Sequence, residues 1–305
     1  MIMRIRRDRK NIVQREILHK EMQLAEEIQR ALIPSQLPTM QGFDIGTIYK
    51  AARMVGGDLF DFVAIDDHTF AVAVADVSGK GVPGSLVMAM VRTAMRLEAR
   101  ETRSAREILI KLNSFVAEDI KQGMFVTILL AIIDTRTGKI DFASAGHNPV
   151  IHFVSRTKDA LFLNAPGMPV GIRGGRVEFA DAMKSAEITL EENDFLVIYT
   201  DGVTEGRGSH INAYGTGRIV EILKENGDRS AAELAQVIEA DIIRFIGKTD
   251  QHDDITMVIL KHCPGTTKDG ERLHAKVENP ASVESNPPRI DSLTLTPDQT
   301  PDPTA

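Results

Sequence analysis

Aspartates in this chain recur in one local setting, where an apolar run begins or ends at the carboxylate, beside glycine or a second aspartate. The instances are "VGGDLFD" with Asp58 and Asp61, "VADVSGKG" with Asp76, "VIYTDGVTE" with Asp201, and "HDDITMVIL" with Asp253 and Asp254. Carboxylates at the ends of adjacent strands can converge on one edge of a sheet. Hard oxygen donors without His or Cys among them select Mg²⁺ or Mn²⁺ over zinc. Two such ions a few ångströms apart polarise a phosphoryl oxygen and deprotonate a bridging water. Singly, each Asp-Gly pair is also an ordinary turn signal. The four together weigh against that alternative without closing it.

Other chemistries find less support. "DVSGKGVPG" invites a phosphate-loop reading, but the GxxxxGK[ST] spacing is absent, and Lys80 is left without an assignment. The glycines near 171–175 form no GxGxxG after a strand, and Ser85 lies in no GxSxG elbow. His147 in "SAGHNPV" and His252 in "DQHDD" read as loop residues making structural hydrogen bonds, with a base or ligand role as the alternative. Cys263, the only cysteine, lies where the patterned sequence ends and is a poor nucleophile candidate.

The elements that must position the aspartates follow from periodicity. Apolar runs at 43–49, 69–76, 125–134, 139–145, 149–154, 185–190, 194–200 and 254–261 predict strands. Amphipathic stretches at 83–100, 104–121, 217–226 and 230–246 predict helices, with Pro83 in a first turn and Ser104 and Ser230 as N-caps. Short turns such as "TRTGK" join only antiparallel neighbours. The pattern is therefore α+β, with helix-covered sheets rather than regular βαβ winding. Upstream, residues 12–33 predict a helix with Ile17, Leu24, Ile28 and Ala31 along a seam that Gln14 and Glu21 interrupt. A short imperfect coiled coil or a packing helix is expected, stopped by Pro34 and Pro38. Three regions result: a basic arm and helix at 1–41, a folded domain at 42–262, and a tail at 263–305. That tail holds seven of the 13 prolines and reads as disordered.

Composition narrows the function further. A net charge of −7 and pI near 5.7 argue against a general nucleic-acid binder. A single cysteine precludes an internal disulfide and suits a reducing cytosol. No apolar run approaches the roughly 20 residues of a membrane-spanning helix. The basic start lacks the apolar segment of a secretory signal and reads as a solvated arm, with contact to anionic lipid or a partner as the alternative.

Six motifs, "ARMVGGDLFDF", "VADVSGKGVPGSLVMAM", "SAGHNP", "APGMPVGI", "YTDGVTE" and "DDITMVIL", stand in the order and approximate spacing of a known group. Over about residues 20–262 the chain resembles the bacterial SpoIIE-like branch of the metal-dependent (PPM, type 2C) Ser/Thr protein phosphatases. The resemblance implies an αββα sandwich of two antiparallel sheets flanked by helices, with a binuclear Mn²⁺ or Mg²⁺ site. It implies that Asp76 bridges the metals, that the Val77 carbonyl is a further ligand, and that Asp58, Asp201 and Asp253 complete the set. Asp254 stands where many relatives have Asn, and the choice between Asp253 and Asp254 stays open. Arg53 stands where some relatives keep a phosphate-holding arginine; a surface ion pair is the alternative.

The implied reaction is hydrolysis of phosphoserine or phosphothreonine by metal-activated water, without a phosphoenzyme. The implied substrate is a small anti-sigma-factor antagonist (STAS) protein in a partner-switching circuit. Homodimerisation or signal reception through the N-terminal helix is also implied. Only about a dozen residues precede that helix, so regulation is expected from a separate protein, the tail or dimerisation. A non-catalytic binding module and a two-metal hydrolase of small phosphate esters are the competing readings.

Overall fold

The computed structural model describes residues 2–172, 176–206, 213–247, 249 and 251–264. Among these residues, ten strands form two five-stranded sheets, antiparallel throughout. One runs β1 (Phe43–Lys50), β10 (Ile255–His262), β9 (Phe195–Tyr199), β6 (Val150–Val154) and β7 (Asp159–Leu163). The other runs β2 (Leu59–Ala64), β3 (Thr69–Val77), β4 (Val126–Asp134), β5 (Lys139–Ala145) and β8 (Ser185–Thr189).

Alternation along the strands assigns the layers. In β10, Val258 and Leu260 join the core that β3 and β4 also line, whereas Ile255, Met257 and Ile259 join a second core. In β9, Leu196 and Ile198 face the first core, and Phe195, Val197 and Tyr199 the second. The first core lies between the sheets and extends under α2 (Val82–Glu98) and α3 (Ala105–Val116), which bury Met88, Val91, Met95, Ile108 and Leu112. The second lies beneath α6 (Gly215–Asn226) and α7 (Ala231–Ile246). Strands covered on both faces are apolar at consecutive positions, as the run Phe70–Ala75 is. The layers are helix, sheet, sheet, helix, which is the expected αββα sandwich.

Local signals behave as the sequence predicts. Ser104 Oγ accepts from the Glu107 amide, Ser230 and Glu233 form a reciprocal capping box, and Pro83 sits in the first turn of α2. Three differences have physical causes. Strand β2 escapes the periodicity because Asp61 interrupts an otherwise apolar "LFDFVA", although five of its six residues are buried. Strand β7 is an edge strand whose short apolar run, Ala160–Leu163, is largely exposed and is not among the strands that the periodicity predicts. Helix α3 stops at Val116 rather than 121, and its last residues continue as turns. Short helices α4 (Arg176–Ala182) and α5 (Asp201–Thr204) were not foreseen.

The leading helix α1 spans Ile2–Leu32, ten residues earlier than expected. Its C-terminal end meets the domain: Leu32 and Ile33 pack on the first core and Gln29 is buried. Ile17, Leu24 and Ile28 are more than half exposed. The proposed tail after Cys263 lies almost wholly outside the described residues. Among those described, no helix is long and apolar enough to cross a membrane.

Candidate metal centre

Antiparallel pairing brings the aspartates to one end of the sandwich. Asp58 immediately precedes β2, and Asp76 is the penultimate residue of β3; Leu59 pairs with Ala75, so the two carboxylates leave the same edge. In the facing sheet, Asp201 follows the end of β9 and Asp253 precedes β10, with Tyr199 paired to Met257. Each sheet thus contributes a strand end and a strand start.

The cluster is electrostatically strained. Asp58 is 1% exposed and accepts from Thr200 Oγ1 at 2.8 Å. Burial first, and then the charge of Asp76, raise its pKa well above the ordinary carboxylate range. Asp76 is pushed up to about 7 by burial, with Asp201 and Asp253 adding to the shift. Asp201 is raised by burial and then by Asp253. Carboxylates this close and this desolvated hold protons unless cations neutralise them. The cation present is Lys80, whose Nζ lies 2.8 Å from Asp253 Oδ2.

Asp253 and Asp254, adjacent in sequence, do different work. Asp254 accepts the amides of Ala52 and Gly57, each at 2.7 Å, and so ties down the segment that carries Asp58. Glycines make room for it: a Cβ at Gly56 would lie 2.3 Å from Asp254 Oδ2, and one at Gly202 only 1.8 Å from its carbonyl oxygen. A Cβ at Gly57 would lie 2.8 Å from the Val77 carbonyl oxygen, which therefore faces the Asp58 segment. That placement suits Val77 as a main-chain donor.

The donor set passes the chemical test for hard divalent ions: several carboxylates and a carbonyl, with neither thiolate nor imidazole. Among the described residues, no group of three or more His, Cys, Asp and Glu side chains is placed to hold a metal ion as it stands.

Other expected residues fall outside the cluster. Arg53 is exposed on the segment between β1 and β2, and no ion pair engages it among the described residues. Asp61 is fully buried but turns to α2, where Arg96 Nε and Arg92 Nε lie 2.5 and 3.1 Å from its Oδ2. His147 is buried with its Nδ1 3.1 Å from Thr127 Oγ1, and His252 offers its carbonyl to Lys80, both structural hydrogen bonds. Burial raises the Cys263 thiol pKa, which suits a non-nucleophile.

Sequence reasoning missed Thr200, the partner of Asp58, though it adjoins Asp201 in "YTDG". It also missed Gln29, which exchanges two hydrogen bonds with the Gly56 main chain, at 2.7 and 2.9 Å. A cleft of about 240 Å³ opens beside the cluster, lined by Gly202, Glu205, Gln251, His252 and Asp253 among others.

The architecture is that of the PP2C phosphatase domain. The chain is similar to the SiaA-PP2C domain of Pseudomonas aeruginosa, at a TM-score of 0.70 and 21% identity over 81% of this chain and 98% of that one. It is similar also to the catalytic domain of the serine/threonine phosphatase PstP in complex with two manganese ions, at a TM-score of 0.53 and 12% identity over 72% and 97%. A family profile, Stage II sporulation protein E (SpoIIE), matches residues 66–262, more than half of the chain. The chain belongs to that family. Its sequence is 28% identical to phosphoserine phosphatase RsbU of Bacillus subtilis (strain 168), over 82% of this chain and 72% of RsbU. It is 25% identical to phosphoserine phosphatase RsbP of the same organism, over 72% of this chain and 52% of RsbP.

Proposed function

We propose that the chain is a metal-dependent protein serine/threonine phosphatase whose catalytic unit is residues 42–262. The observation that carries this reading is the convergence of Asp58, Asp76, Asp201 and Asp253, mutually repelling and with Asp58 fully buried, at one end of the sandwich. The family and the likeness to RsbU and RsbP support it.

In this reading Asp76 would be the central donor to two Mn²⁺ or Mg²⁺ ions, which Asp58, Val77 through its carbonyl, Asp201 and Asp253 would help to hold. The manganese complex of PstP and the magnesium complex of RsbX support the choice of metals. When bound, the ions supply Lewis acidity toward a phosphoryl oxygen and a lowered pKa for water. The chain's own residues do the rest. Thr200 holds one oxygen of Asp58, and Asp254 fixes the loop behind it. Arg53, free on the surface beside that loop, offers planar paired donors to a substrate phosphate.

The substrate class is a phosphorylated STAS-type anti-sigma-factor antagonist in a partner-switching circuit, supported by the motif resemblance and the likeness to RsbU. The protein acts in the cytoplasm, which its single cysteine favours. It forms a homodimer or meets a regulator through α1, whose Ile17, Leu24 and Ile28 lie exposed.

The test is phosphate release from a panel of phosphorylated STAS proteins by the purified chain with Mn²⁺. Release is expected from the wild type and at least 100-fold less from Asp76→Ala, about 3 kcal/mol of transition-state stabilisation. No release, with Asp76→Ala behaving identically, overturns the reading. Faster turnover of a small chromogenic ester than of any phosphoprotein moves it to small-ester hydrolysis.

A further inference from the structure

We infer that Lys80 is a tethered cation that competes with a divalent ion for Asp253, an inference that rests on the metal-centre reading above. Lys80 lies in the turn between β3 and α2, and Asp253 lies just before β10, 173 residues away in sequence. The turn is built to present it. Gly79 and Gly81 adopt φ of +117° and +78°, a region that disfavours side chains, so the backbone doubles back at both flanks of the lysine. Ser78 anchors the turn to β4's approach: its amide and its Oγ both donate to the Phe125 carbonyl, at 2.9 and 2.8 Å, and its Oγ accepts the Phe125 amide at 2.6 Å.

Held in this way, the ammonium makes two contacts, at 2.8 Å to Asp253 Oδ2 and at 2.5 Å to the His252 carbonyl. It is the one cation recorded among the described residues as paired with a carboxylate of the cluster. A divalent ion placed on Asp253 meets that ammonium at repulsive range, so the two exclude each other from the shared oxygen. Lys80 thus limits repulsion among the carboxylates while the ion is away, and weakens the ion's hold when it arrives. Both partners are solvent-accessible, at 43% and 41%, which caps the effect at the scale of an exposed ion pair.

The test is calorimetric titration of the full chain with Mn²⁺ at fixed salt and pH, for wild type, Lys80→Gln, Lys80→Arg and Asp76→Asn. Lys80→Gln is expected to bind Mn²⁺ twofold to fivefold more tightly than wild type, with Lys80→Arg close to wild type. Without metal, Lys80→Gln is expected to melt at a lower temperature than wild type, and the gap should close at saturating Mn²⁺. Equal or weaker binding by Lys80→Gln, in a protein whose wild type binds and whose Asp76→Asn does not, overturns the inference alone. Equal tightening by Lys80→Arg also overturns it, because the charge is then not the competitor. If wild type and Asp76→Asn bind Mn²⁺ indistinguishably, the metal-centre reading fails and the inference falls with it.

Discussion

Asp58 and Asp61 are three residues apart, both buried, and opposite in their surroundings. Asp61 faces two guanidiniums from α2, and its charge is matched where it lies. Asp58 faces another carboxylate, and its nearest help is the hydroxyl of Thr200. A fold gains nothing from the second arrangement by itself, because desolvated like charges cost free energy. The difference separates a residue that holds the structure together from one that, in the proposed reading, would take an external cation.

Substitution should pull the two apart. Asp61→Ala leaves Arg92 and Arg96 facing one another across a buried gap. It is expected to cost about 3 kcal/mol in denaturant unfolding, the low end for a broken buried pair because Arg96 is partly exposed. Within the acidic cluster the sign reverses. In EDTA, Asp76→Asn is expected to stabilise the protein by about 2 kcal/mol at pH 8. The native carboxyl of Asp76 titrates near 7, against an ordinary value of 3.8. Wild type therefore loses stability as pH rises from about 4 to 7, and the advantage of Asp76→Asn should vanish below that window. Destabilisation by Asp76→Asn without metal would erase the contrast.

A smaller effect comes from His147, which solves burial by staying neutral. Burial holds its pKa near 4, against 6.5. As pH falls below 6.5 the unfolded state gains a proton that the native state refuses, so stability falls. Between pH 7.5 and 5.5 the loss is about 1 kcal/mol, and a side chain without a titratable ring at this position, as in His147→Gln, should remove it. Parallel stability–pH curves for the two proteins would show that His147 is not held neutral.

The sequence made the sandwich readable where strands are covered on both faces. The runs at 69–76, 125–134 and 254–261 are apolar because each side meets a core. It hid β2, whose Asp61 looks like an interruption until Arg92 and Arg96 arrive from a helix some thirty residues on. The acidic positions stood out for the same reason that the strands did, since each marks where an apolar run meets a turn. Asp253 and Asp254 could not be told apart, because what distinguishes them is a set of amides at 52 and 57 and a lysine at 80, all remote in sequence. Lys80 gave no local signal at all, having no function within its own turn.

The pairing of β1 with β10 has a mechanical consequence. Phe43 opposes His262 and Lys50 opposes Ile255, so the chain enters and leaves the domain side by side at one end of a two-strand ladder. A pull applied to both flanks loads the rungs one at a time from Gly42 and Cys263 inward, as a zipper opens, because ladder bonds lie across the strands. Such a seam yields at low force. Its closed end is the one where Asp254 clasps Ala52 and Gly57, so the acidic cluster sits beside the last rung of that seam.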